Sequence, residues 1–215
     1  MRTARPRYIA VEGPIGAGKS SLAAILGEAL SARVILESPD DNPFLGPFYK
    51  DRRRHAMSVQ LFYLLQRYAQ QGELAQGDLF SRGGVVTDYI FAKDRLFASL
   101  NLSPDEMALY DRLYQILKPR TIAPDLVVYL QTRTEVLMER IRKRGRPEER
   151  PIRAEYVEEV ARAYADFFFS YAEAPLLIVN ASDIDFVANA AHRAELIEVI
   201  KRAPPGVSHW ARQGP

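Results

Sequence analysis

The chain has 215 residues, and 47% of them are hydrophobic, enough to build a full core. Its 29 lysines and arginines against 27 acids leave a net charge of +2, a balance that argues against a general nucleic-acid or membrane-surface binder. Cysteine is absent, which excludes disulfides and thiolate metal sites; the first apolar run is too short for a signal peptide or membrane span, so a cytoplasmic protein is expected.

Tyr8–Glu12 is a short apolar run suited to a buried strand. Directly after it, Gly13, Pro14, Ile15, Gly16, Ala17, Gly18, Lys19 and Ser20 spell the G-x-x-x-x-G-K-[ST] phosphate loop, and Ser21 follows. Its glycines let the backbone turn tightly and aim N–H groups at a phosphate chain. Lys19 can reach the outer phosphates, and the Ser20 hydroxyl is placed to ligate Mg²⁺. Leu22–Leu30 then carries a helical apolar pattern, so the loop has the strand-before, helix-after setting it needs.

Arg33–Glu37 is the second strand, and Glu37 closes it. After a turn at Asp40–Pro43, Tyr49 is read in a loop, where it either serves a ligand or plugs the core. The helix expected at Arg54–Gln71 stacks Gln60 and Arg67 seven residues apart at the margin of its apolar stripe. They either turn into a cleft or form a solvated edge. The third strand, Gly84–Asp88, ends in Asp88, an acid placed to contact Mg²⁺ directly or through water. Asp94 starts the next helical stretch, as a site acid or as one favoured by the helix dipole.

Ser103-Pro104-Asp105-Glu106 is a capping box with proline at the first helical position. Leu126–Leu130 is the fourth strand, and Thr132–Glu135 reads as a second capping box. The helix that follows ends in the densest charge cluster of the chain, with Arg140, Arg144 and Arg146 around a stop at Gly145. This is expected to be a mobile lid that brings positive charge to a migrating phosphoryl group; a solvated helix end and a nucleic-acid contact are the alternatives. Leu176–Asn180 is the fifth strand. Pro204–Pro215, with Pro-Pro-Gly and a lone Trp210, is expected to be a flexible tail behind a single domain at 1–203. Strands alternating with helical patterns give an α/β fold: a five-stranded parallel sheet with helices on both faces. In such sheets ligands bind beyond the carboxyl ends of the strands, where Glu37 and Asp88 lie.

From Tyr8 to about Lys201 the sequence resembles the deoxynucleoside kinases, P-loop enzymes that pass the γ-phosphate of ATP to the 5′-hydroxyl of a deoxynucleoside in nucleotide salvage. The family pattern Glu-Gly-x-Ile-Gly-Ala-Gly-Lys-Ser is matched at Glu12–Ser20, and its acid followed by Asp-Asn-Pro at Glu37–Pro43. Its tyrosine eleven residues before a glutamine is matched by Tyr49 and Gln60, and its lid pattern by Arg140 through Glu149. The resemblance implies Glu37 as general base, Tyr49 and Glu149 on the 3′-hydroxyl, and Gln60 on the base edge. It also implies Asp94 and Arg67 reading an amino-bearing base, Asp185 and Phe186 near the donor base, ATP and Mg²⁺ as cofactors, and a homodimer. One departure stands out. Where many members carry acid-Arg-Ser after the third strand, this chain has Asp88-Tyr89-Ile90, with Lys93 or Arg95 as candidate replacements for the arginine. A nucleoside monophosphate kinase shares the fold and lid but needs a further basic site. A nucleotide-dependent switch usually carries an Asp-x-x-Gly segment, which this sequence lacks.

Overall fold

The computed structural model describes residues 8–38, 41–75, 84–118 and 122–212, so the expectations that touch Pro39 and Asp40 lie outside the described residues. Strands β1 (Tyr8–Glu12), β2 (Arg33–Ile35), β3 (Val85–Thr87), β4 (Leu126–Gln131), β5 (Leu176–Asn180) and β6 (Val207–Trp210) form one sheet in the order β2-β3-β1-β4-β5-β6. Every pairing is parallel. All residues of β1 and β3, and the first five of β4, are buried, as strands covered on both faces must be.

The helices are α1 (Lys19–Leu30), α2 (Leu45–Lys50), α3 (Arg52–Ala75), α4 (Lys93–Asn101), α5 (Pro104–Leu117), α6 (Thr134–Arg144), α7 (Ala154–Phe169) and α8 (Ala190–Lys201). Register sets the site. Ala10 pairs with Thr87 and Thr87 with Ile35, so β1, β2 and β3 end side by side. Glu12, Glu37 and Asp88 therefore emerge together at the carboxyl edge. A second apolar cluster of Leu64, Phe91, Ala98, Tyr110 and Tyr114 ties α3, α4 and α5 into one block beside that edge.

Four expectations are corrected. The sheet has six strands. The segment expected to be a flexible tail supplies β6: Leu176 N–H donates to Gly206 O at 2.9 Å, and Trp210 packs against the core. Pro-Pro-Gly acts there as a turn, with Gly206 in the left-handed region, and the four residues after it alternate exposed and half-buried. Tyr49 lies on α2 rather than in a loop. The capping box at Ser103 forms in both directions, but the one at Thr132 does not: β4 runs on to Gln131, Arg133 becomes the cap, and Thr132 falls one residue short.

Candidate active site

The loop after β1 gains its shape from its glycines. Gly16 and Gly18 sit at φ +86° and +98°. A Cβ on Gly16 would stand 2.8 Å from Leu137 O, and one on Gly18 would stand 2.9 Å from Phe186 Cζ. Gly18 is also the N-cap of α1, whose first residue, Lys19, donates from Nζ to Pro14 O at 3.2 Å. Burial in the cleft floor, helped by the charge of Lys93, brings the Lys19 ammonium down to about 8.

Asp88 is held from two sides. Ser20 Oγ donates to its Oδ2 at 2.5 Å, and the Glu37 backbone N–H donates to its Oδ1 at 2.7 Å. The Glu37 carboxylate in turn lies between two cations. Arg67 Nε donates to Oε1 at 2.5 Å, and Lys93 Nζ donates to Oε2 at 3.0 Å. Burial pushes the Glu37 carboxyl upward, but Arg67, Lys93 and Lys19 outweigh it and hold the group down at about 2. Arg67 also pairs with Asp94, which is fully buried in the first turn of α4.

One cleft is lined by Lys19, Ser20, Glu37, Tyr49, Gln60, Arg67, Asp88, Arg144, Arg146 and Glu149, all candidates read from the sequence. Asp94 reaches it through Arg67. Arg144 grips Glu149 from both Nε and an Nη, the latter at 2.6 Å. Arg140 stands apart from this cleft. It donates to the carbonyls of Ala17, Ala181 and Ile184 at 3.3, 2.9 and 3.2 Å, and so braces the phosphate loop. With Ser21, Asp185 and Phe186 it lines a second cleft on the other side of the loop, and Gly16 and Arg144 border both clefts. Asp185 accepts from the N–H groups of Ala188 and Val187, which hold its carboxyl below the usual range.

Three contributors escaped sequence reasoning. Glu12 accepts from Ile90 N–H at 2.7 Å, Tyr164 hydroxyl at 3.0 Å and Gly13 N–H at 3.2 Å, and burial raises its carboxyl despite the pull of Lys93. Tyr63 lies under the Arg67 guanidinium, 5.0 Å from ring centroid to Cζ, and Tyr156 forms part of the cleft wall. The signal for Glu12 was an acid closing an apolar strand. Phe97 also lines the cleft, whereas Phe91 belongs to the second cluster.

Two clefts meeting at a phosphate loop, with an ionised carboxylate between cations in one of them, define a two-substrate phosphotransferase. The deoxynucleoside kinase family model matches residues 9–203, and the chain belongs to that family. It is thus an enzyme that phosphorylates deoxynucleosides. It is 34% identical over 201 residues to a deoxyguanosine kinase of Bacillus subtilis (strain 168), covering 88% of this chain and 97% of that one. It is 31% identical over 208 residues to a deoxyadenosine kinase of Lactobacillus acidophilus, covering 90% and 94%. The structure of a deoxyadenosine kinase from M. mycoides, solved with dCMP and a flexible dCDP bound, superposes with a TM-score of 0.75 at 26% identity, covering 90% of this chain and 96% of that one. Among the described residues no helix is long and apolar enough to cross a membrane.

Proposed function

We propose that this enzyme transfers the γ-phosphate of ATP to the 5′-hydroxyl of deoxyadenosine or deoxycytidine, with deoxyguanosine as a further acceptor. The observation that carries the choice of base is the buried Arg67–Asp94 pair beside Gln60, which is itself buried. A carboxylate fixed in this way is an acceptor for an exocyclic amino group and has nothing to offer a thymine carbonyl. Gln60 supplies the partner for the rest of the base edge. Tyr49 and Glu149, in the same cleft, suit the 3′-hydroxyl.

Glu37 is the proton acceptor in this reading. The 5′-oxygen attacks the γ-phosphorus, the bond to the bridging oxygen of ADP breaks, and the hydroxyl proton passes to the Glu37 carboxylate. Its low proton affinity suits late proton transfer, after the new O–P bond has begun to form. The loop N–H groups, Lys19, Arg144 and Arg146 stabilise charge on the moving group. Arg140 acts through the loop it braces. Ser20 and Asp88 are hard oxygen donors side by side, a set that fits Mg²⁺, which would neutralise phosphate charge there. The second cleft, with Asp185 and Phe186, takes the donor nucleoside. Helices α3 and α5 leave Leu65, Leu109 and Ile116 exposed, and their apolar faces pair across a two-fold axis in the homodimer we propose. Incubation with γ-labelled ATP and each deoxynucleoside or deoxynucleoside monophosphate tests the reading. Labelled deoxynucleoside monophosphate is the expected product; label only in deoxynucleoside diphosphate or in free phosphate would refute it.

A further inference from the structure

Lys93 is a buried ammonium, 3% exposed, at the first residue of α4. A helix N-terminus disfavours a cation, and burial disfavours it further, so tertiary partners must hold this one in place. Its partners are two carboxylates, one at the end of β1 and one beyond the end of β2, the strands on either side of β3. Nζ donates to Glu37 Oε2 at 3.0 Å and lies 3.6 Å from Glu12 Oε1. Glu12 is an anchored group, fixed by the N–H groups of Ile90 and Gly13 and by the Tyr164 hydroxyl. Lys93 is therefore clamped to the end of β1 and presents its charge to Glu37.

The rival candidate for this task points away. Arg95 pairs with Asp111 at the surface, with 57% of its side chain exposed. Tyr89, where the family pattern has arginine, is fully buried. Arg67 touches Glu37 but is shared with Asp94. We propose that Lys93 is a positioning residue: anchored on Glu12, it orients the Glu37 carboxylate toward the acceptor hydroxyl, in place of the arginine this chain lacks. This rests on Glu37 being the proton acceptor.

The test compares Lys93→Ala, Lys93→Arg, Lys93→Ala/Glu12→Gln and Glu37→Gln for kcat, KM and the equilibrium dissociation constant of deoxyadenosine. Lys93→Ala is expected to lower kcat by about 10²-fold while nucleoside binding stays within about threefold. Lys93→Arg should retain more turnover than Lys93→Ala. Added ethylammonium should restore about tenfold to Lys93→Ala and leave the wild type unchanged. If Lys93→Ala fails to fold, the double variant carries the same expectations, because it leaves no unpaired carboxylate at the end of β1. Turnover within about threefold of wild type, or a loss matched by equally weakened nucleoside binding with no response to ethylammonium, would overturn the proposal. Full turnover in Glu37→Gln would instead remove the proton-acceptor reading. A crippled Glu37→Gln beside an active Lys93→Ala would remove only the role given to Lys93.

Discussion

Arg67 donates from Nε to Glu37 Oε1 at 2.5 Å, while the same guanidinium pairs with Asp94. One side chain on α3 thus links the carboxylate proposed to read the base with the carboxylate proposed to accept the proton. The link rests on a buried charge cluster, and its removal has consequences for stability as well as for chemistry.

Arg67→Gln is expected to destabilise the fold by about 3–5 kcal/mol, because it strands the carboxylates of Asp94 and Glu37 without their shared cation. Urea unfolding of the two proteins measures it. A difference below about 1 kcal/mol would mean that these acids find other partners or take up protons at little cost.

The Glu37 carboxyl also predicts a pH dependence. Its ordinary value of 4.5 is lowered to about 2 in the fold, so its ionisation adds stability that is fully present above the ordinary value and is lost as pH falls toward about 2. Glu37→Gln lacks this contribution. The stability gap between wild type and variant should therefore narrow by about 1–2 kcal/mol between about pH 5 and about pH 3. Parallel stability curves over that interval would contradict the depressed value.

Gly18→Ala tests the seam between the loop and the second cleft. The new Cβ would meet the Phe186 ring at 2.9 Å from a backbone at φ +98°. The strain of the left-handed conformation alone is about 1–2 kcal/mol. The expected result is a KM for ATP raised about tenfold or more, with the KM for deoxynucleoside little changed. Equal increases in both would show that the loop does not separate two sites.

Leu109→Asp/Ile116→Asp places two charges on exposed positions of α5. Sedimentation should show a wild-type dimer at micromolar concentration and a monomeric variant. A monomeric wild type would refute the assembly.

The sequence made much of this site legible because its parts are local. The phosphate loop, the acids closing β2 and β3, and the seven-residue spacing of Gln60 and Arg67 on one helix are all short-range patterns. Lys93 was a different case. Its contact with Glu37 spans 56 residues and depends on where α4 docks, which no spacing encodes. Arg140 and Arg144 share a helix face, yet the first braces carbonyls and the second grips Glu149; that division follows from how α6 lies across the loop. Strand β6 was hidden because four residues behind Pro-Pro-Gly carry little apolar signal, and its pairing with β5 supplies the rest.

The central claim is that Asp94, held by Arg67, selects a base bearing an amino group. The most direct test is kcat/KM for the four deoxynucleosides, measured singly and in competition with ATP as donor. Deoxyadenosine or deoxycytidine is expected to lead, with deoxyguanosine behind and thymidine lowest by about 10²-fold or more. A kcat/KM for thymidine above those of the other three would show that Asp94 and Arg67 do not read the base in this way.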